Sequence, residues 1–175
     1  MSDVDLELRA IEPGDKVTGL SLGDPDFQPL KTFLQRDAKG YHAQNLAKTY
    51  AFFDENAKIV GYITLICAEI TTERKEDLPA PDLTYNYKSY PAVKIARLAV
   101  DKRFRGNDLG KSLVHFALGM IKEAICPIVG CRFAVVDSKQ KSIKFYEKCG
   151  FTLVDTVSNR DRPEPIMFLD LHKVP

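Results

Sequence analysis

KIARLAVDKRFRGNDLGKSLVHFALGMI (residues 94–121) and CRFAVVDSKQKSIKFYEKCGF (residues 131–151) are the two stretches whose reading decides the fold. In the first, an apolar strand from Val93 to Val100, interrupted only by Lys94 and Arg97, runs into the basic turn Arg105-Gly106-Asn107-Asp108-Leu109-Gly110. A helix then opens. Leu109, Leu113, Phe116, Ala117, Met120, Ile121 and Ala124 recur at the spacing of a core-facing stripe, and Pro127 ends the run. The first N–H groups of a helix have no partner within it, so this turn is a place where an anion is stabilised. Lys102, Arg103, Arg105 and Lys111 add positive charge around it. In the second stretch, Cys131 to Val136 reads as a buried strand and Asp137 or Ser138 as the cap of a helix reaching Cys149. Gly150 stands where a left-handed residue closes a helix.

Outward from this centre, Leu6 to Ile11 alternates as a strand and stops before Pro13-Gly14. Phe27, Leu30, Phe33 and Leu34 give a helix, with Asp24 or Asp26 as its cap and its end near Gly40, and His42 to Leu46 gives a short second turn. Ala47–Phe53 and Lys58–Ile70 pair around Asp54-Glu55-Asn56 as a hairpin. Thr71–Tyr90 is charged and Pro-rich and reads as a long surface loop. Phe151–Val157 and Ile166–Leu171 are the last two strands, joined by the charged loop Ser158–Pro165.

A chain of 175 residues, 45% hydrophobic, suffices for one domain over residues 1–175. With 25 basic and 24 acidic residues it lacks the charge of a broad nucleic-acid or membrane surface. Cys67, Cys126, Cys131 and Cys149 form no C-x-x-C pair and read as reduced thiols, not as a disulfide frame or a metal site. The acidic N-terminus is no signal peptide, and no apolar run approaches membrane-spanning length. The expectation is a cytoplasmic domain with no membrane partner.

A nucleotide P-loop encloses four residues between its glycines, whereas Gly106 to Gly110 encloses three; a G-x-G-x-x-G fingerprint is also absent. By contrast, Arg105-x-x-Asp108-x-Gly110, followed downstream by Phe145-Tyr146-Glu147-Lys148-Cys149-Gly150-Phe151, resembles the signature of the GNAT superfamily of N-acetyltransferases. The element order agrees from the Leu6 strand to the Ile166 strand. The resemblance implies an α/β fold: a mixed, mostly antiparallel sheet of about seven strands, helices on both faces, and a splayed parallel strand pair. It also implies acetyl-CoA as cofactor. Its diphosphate would lie on Arg105, Gly106, Asn107, Asp108, Leu109, Gly110 and Lys111, and its pantetheine arm on the main chain of Leu98, Ala99 and Val100. Two positions depart from the family pattern. Asp108 replaces a Gly, and Lys139 stands where many members have an Asn that contacts the cofactor; either substitution bears on cofactor affinity.

The resemblance makes Tyr146 the general acid, since a phenol near the sulfur can protonate a departing thiolate. On its own, a tyrosine on such a helix is more often a core residue. Glu69, near the end of a strand, is the candidate base, although a solvated strand-end carboxylate is the commoner case. His42, His115 and His172 are weaker candidates. Lys141, Lys144 and Lys148 share a helix face that is ordinarily just solvated, or that meets a phosphate or an RNA. Three functions are compatible with these residues. The leading one is acetylation of a primary amine of a small molecule or protein, by direct transfer in a ternary complex. The second is toxin-type acetylation of the amino group of aminoacyl-tRNA, with an antitoxin partner; such toxins tend to be distinctly basic, and this chain is not. The third is a CoA-binding module without catalysis. The fold accommodates a homodimer, which no residue here specifies. The acceptor pocket is expected in the Phe27–Leu46 helices and the loops 71–90 and 158–165, with Tyr85, Tyr87, Tyr90, Glu76 and Asp82 among its candidates.

Overall fold

A computed structural model describes residues 4–72 and 88–175. Seven strands lie in the hydrogen-bonded order β1-β2-β3-β4-β5-β7-β6: β1 (Glu7–Ala10), β2 (Lys48–Phe53), β3 (Ile59–Thr71), β4 (Ser89–Val100), β5 (Phe133–Asp137), β6 (Thr152–Leu153) and β7 (Ile166–Asp170). The helices are α1 (Gln28–Arg36), α2 (Ala38–Ala43), α3 (Leu109–Met120, continued by a π turn over Ile121–Ile125), α4 (Ile143–Lys148) and α5 (Val157–Arg160). The pairs β1/β2, β2/β3, β5/β7 and β6/β7 are antiparallel; β4/β5 is parallel, over Ala92–Ile95 against Phe133–Val136. The mixed, mostly antiparallel sheet expected from the sequence is therefore present.

The described residues fall into two compact units. One holds those up to Ile66 together with Ala96–Val114; the other holds those between Cys67 and Ile95 together with His115–Pro175. In the first unit β2 alternates between buried and half-buried positions, as a strand covered on one face must, whereas β3 is buried continuously from Ile59 to Leu65. Thr49 and Thr64, directly opposite in the β2/β3 register, share a buried hydroxyl–hydroxyl bond of 2.8 Å. Phe33 and Leu34 of α1 pack with Leu20, Phe53, Ile59 and Tyr62. Tyr62, fully buried, donates its hydroxyl to the Leu30 carbonyl at 2.5 Å, which fixes α1. The Asp54 carboxylate closes the β2–β3 turn by accepting from the amides of Asn56 and Lys58, each at 2.9 Å.

In the second unit Tyr90, Phe133 and Phe168 stack edge to face, with centroids 5.9 and 6.0 Å apart, at the centre of a core with Ile70, Val135 and Val154. Asn159 of α5 is buried, and its side chain makes three bonds. Its amide donates to the carbonyls of Val154 (3.1 Å) and Ile166 (3.0 Å), and its carbonyl accepts from the Ile166 amide (2.9 Å).

Five expectations need correction. The helix after Phe27 ends at Arg36, and α2 runs through Gly40; Asp24 caps only the short 3-10 turn Pro25–Phe27. The Thr71–Tyr90 loop is shorter than expected, since β3 reaches Thr71 and β4 begins at Ser89; its candidates Tyr85, Tyr87, Glu76 and Asp82 lie outside the described residues. Neither Asp137 nor Ser138 caps a helix: Asp137 ends β5 and pairs with Lys94, and Lys139 precedes the 3-10 turn that leads into α4. The strand expected over Phe151–Val157 keeps only Thr152–Leu153, because Asn159 replaces ladder bonding beyond it. In α3 the buried positions are Leu113, Val114, Ala117, Leu118 and Ile121, while Ala124 is exposed. The π turn, closed by the Cys126 amide on the Ile121 carbonyl at 2.9 Å, shifts the helical phase before Ala124 is reached.

Replacing Asn159 by Ala leaves the Ile166 amide without its acceptor beside a buried strand and removes one of the two bonds at each of the Val154 and Ile166 carbonyls, which keep the amides of Thr156 and Val154. Asn159→Ala is expected to lower the unfolding free energy by about 2–3 kcal/mol. Urea denaturation should show this as a lower midpoint at unchanged slope.

Candidate active site

The loop that follows β4 is built on one buried carboxylate. Asp101 has no exposed surface, and it accepts from the Ser21 amide (3.0 Å), the Arg103 amide (3.0 Å) and the Arg103 guanidinium (2.9 and 3.0 Å). Burial alone would raise its pKa. The bonds from Arg103 and from the Ser21 amide outweigh burial and hold it well below the usual carboxylate range. The Lys102 amide donates to the Ser21 carbonyl at 2.8 Å, and the Arg105 guanidinium donates to the Leu22 carbonyl while lying 5.5 Å over the Phe27 ring. Arg105 is thus engaged in fastening the loop to the 20–22 segment. Neither residues 15–23 nor Asp101 is among the sequence-based expectations. Its signal was an Asp two residues before an Arg at a strand end, the pattern of a side chain capping a tight turn.

Beyond Arg105 the backbone turns through Gly106 (φ +84) and Asp108 (φ +57). A Cβ on Gly106 would meet nothing, so its positive φ is what calls for glycine there. Asp108 occupies the left-handed region open to glycine and tolerated by Asp, and this explains how the departure from the family pattern keeps the loop's shape. The Asp108 carbonyl accepts the Ser112 amide at 2.9 Å and starts α3. The Asn107 amide bonds back to the Phe104 carbonyl at 3.4 Å. The start of this 12-residue helix, where the first N–H groups have no partner within the helix, fits the diphosphate of a CoA ester. Leu98, Ala99 and Val100 close β4 in the same unit, with Ala99 buried.

Tyr146, on α4 in the other unit, is buried with its ring edge-on to Phe145 (5.0 Å) and Phe151 (5.7 Å). Its carbonyl accepts the amides of Cys149 and Phe151, each at 3.0 Å, across a turn completed by Gly150 at φ +97. Among the described residues its hydroxyl has no hydrogen-bond partner. Burial, helped by Cys149, raises its pKa above the ordinary phenol range, so the proton stays on at neutral pH. Glu69 is exposed near the end of β3. The Lys139 ammonium lies 3.3 Å from Glu164, and its carbonyl accepts from Ser142 and Ser138. The His42 imidazole Nδ1 accepts the Thr49 amide at 3.0 Å, which ties it to structure. Lys141, Lys144 and Lys148 are exposed. A cavity of about 530 Å³ in this second unit is lined by His115, Leu118, Cys149, Leu169 and Lys173; of the sequence-based candidates it holds only the weaker one, His115.

The sequence profile described as "Acetyltransferase (GNAT) domain" matches residues 47–153, more than half of the chain. The chain belongs to the GNAT acetyltransferase family. It is an N-acetyltransferase, and its cofactor is acetyl-CoA. Among curated proteins it is 26% identical to the tRNA-acetylating toxin of Mycobacterium tuberculosis over 149 residues, 85% of either chain. It is 38% identical to glucosamine 6-phosphate N-acetyltransferase of Arabidopsis thaliana over 61 residues, which span 35% of this chain and 38% of that enzyme. Among solved structures, AtaT complexed with acetyl-methionyl-tRNAfMet superposes with a TM-score of 0.82 at 20% identity, covering 97% of both chains. A Tyr-to-Phe mutant of AtaT bound to acetyl-CoA and the C-terminus of the antitoxin AtaR matches with a TM-score of 0.75 at 19% identity, over 96% of this chain and 94% of that one. At these identities the structures show a shared fold. Among the described residues no helix is long and apolar enough to cross a membrane.

Two outcomes follow from the loop. Asp101→Asn should cost about 1–3 kcal/mol at neutral pH. Because the folded carboxylate is depressed, its contribution is complete above the unfolded value of about 3.9 and is lost as pH falls through the folded one. The gap between wild type and variant should therefore close below about pH 4 in urea titrations. Asp108→Gly keeps the backbone and removes a carboxylate from the helix N-terminus, so acetyl-CoA should bind about two- to fivefold more tightly by calorimetry.

Proposed function

We propose that this chain transfers the acetyl group of acetyl-CoA to the amino group of an aminoacyl-tRNA. One observation carries the reading. The similarity to the tRNA-acetylating toxin runs along 85% of both chains, whereas the match to the glucosamine 6-phosphate enzyme is confined to 61 residues. The superposition on AtaT, whose structure holds an acetylated methionyl-tRNA, supports it over 97% of the chain. Substrate choice in an acetyltransferase lies in the parts outside the cofactor loop, so agreement along the whole chain counts for more than agreement over a short segment.

Bound acetyl-CoA supplies the acetyl group as a thioester, an acyl donor reactive toward amines. The amides of Gly106 and of Asp108 through Lys111 would hold the diphosphate, with the dipole of α3 behind them. The main chain of Leu98, Ala99 and Val100 would orient the pantetheine arm. Tyr146 holds a proton on its phenol oxygen through the neutral range and would deliver it to the leaving sulfur. Glu69 is the base proposed to take up the amine's proton, by way of water. Lys139, paired with Glu164, is left a secondary part at the cofactor's edge. An RNA partner would place its phosphates against exposed lysines such as Lys141, Lys144 and Lys148; with a net charge of only +1 the contact is local, and weak salt dependence is expected.

A second reading, acetylation of a small-molecule or protein amine, draws on the 38% identity to the plant enzyme. Incubating the protein with labelled acetyl-CoA and either charged tRNA or a panel of free amines separates the two. Label on the aminoacyl end of tRNA supports the proposal, and label on free amines alone overturns it. Tyr146→Phe should cut transfer by about 10²-fold with acetyl-CoA affinity unchanged. Unaltered turnover would remove Tyr146 from the acid role.

A further inference from the structure

All four cysteines belong to the second unit, and Cys126 and Cys131 are not among the residues assigned above. Cys126 follows the π turn that ends α3, and Cys131 stands just before β5, with Pro127-Ile128-Val129-Gly130 between them. The Cys126 thiol donates to the Cys131 carbonyl at 3.3 Å, and the Cys131 thiol to the Phe133 carbonyl at 3.7 Å. Cys67 is exposed on β3 in the same unit. Both members of the pair are half-buried. The turn that joins them is exposed throughout, with Ile128 at 83% and Val129 at 61%.

The backbone on either side is fixed. The amides of Ile128 and Val129 donate to the Ile125 carbonyl at 3.0 and 2.9 Å, and the Arg132 amide donates to the Pro91 carbonyl at 2.9 Å. The backbone that carries the two thiols is therefore set by the fold, and the Cys126 thiol reaches the main chain of Cys131. Among the described residues no three His, Cys, Asp or Glu side chains are grouped as a metal ion would require, so a metal does not explain the cluster.

We infer that Cys126 and Cys131 are a reversible oxidation site, which closes to a disulfide when a hydroperoxide reaches the exposed turn. In the first step the Cys126 thiolate attacks the peroxide O–O bond, giving a sulfenic acid and hydroxide. In the second the Cys131 sulfur displaces the sulfenic oxygen, its proton leaving with that oxygen as water. The two thiols together lose two protons and two electrons, and hydrogen peroxide is reduced to two waters. Burial, with Cys126 and Cys67 adding to it, pushes the Cys131 thiol up to about 12, so it stays protonated at neutral pH and Cys126 is the sulfur that meets the oxidant. A thiol reductant reverses the reaction by exchange.

No Lys or Arg separates the two cysteines, so trypsin releases both in one peptide, Glu123–Arg132. The test is to treat the native protein with dilute hydrogen peroxide, block free thiols with iodoacetamide and map the peptides by mass spectrometry. The expected result is a fall in free thiols from the four in the sequence to two. Glu123–Arg132 should be two hydrogens lighter and unalkylated, and dithiothreitol should restore it. Cys67→Ser should oxidise in the same way, and Cys131→Ser should leave a sulfenic acid at Cys126 that dimedone traps. Because the fold holds the pair, native protein should close about tenfold faster than protein unfolded in urea. A bridge to Cys67, over-oxidation of Cys126 without a bridge, or equal rates in native and unfolded protein would each overturn the inference. The wild-type peptide map decides the matter even if a serine variant does not fold.

Discussion

The buried carboxylate of Asp101 is the constraint on which the cofactor loop depends. A charge with no exposed surface is costly unless every oxygen is bonded. Here the backbone amide of Ser21 and both the amide and the guanidinium of Arg103 complete its shell. That one group ties the end of β4 to a segment eighty residues earlier in the chain. The turn after it is then positioned by side chains. The division of labour is clear in the side chains. Asp101, Arg103 and Arg105 hold the loop, and the main chain from Gly106 to Lys111 is left available to a ligand.

Chemistry of a different kind is prepared in the second unit. Tyr146 is buried between two phenyl rings, a setting that disfavours a phenolate and keeps the proton on its oxygen. The turn Cys149–Phe151 folds back onto its carbonyl, so the helix that carries it is short but fixed at its end. Family membership rests on the match over residues 47–153, a span that includes both the loop and this tyrosine.

The strands, the Asp54 turn and the glycine at 150 were legible because each has a local cause: alternation, an Asx bond, a positive φ. The turn from Arg105 to Gly110 has a local cause too, in the positive φ of Gly106 and Asp108. What was hidden depended on distant partners. Asp101 finds Ser21 only in the folded chain, and Asn159 interrupts a strand through bonds to residues on either side of it. Gly40 looked like a stop and lies inside α2, where tertiary packing of α1 and α2 outweighs its low propensity. The π turn at Ile121 cannot be read from a 3.6-residue period, and it is what puts Ala124 outside. Asp108 departs from the family pattern, and its backbone angle lies in the left-handed region that Asp tolerates.

The hydroxyl pair Thr49–Thr64 has a consequence for how this chain can change over time. Two buried hydroxyls on neighbouring strands satisfy each other, so either one replaced by a hydrocarbon strands its partner in a dry interior. Both replaced together by valine would keep the shape and lose little. The two positions are therefore free to drift only in concert, and related chains should carry either two hydroxyls or none at them. Such a pair records the β2/β3 register as a covariation, independently of any residue that touches a substrate.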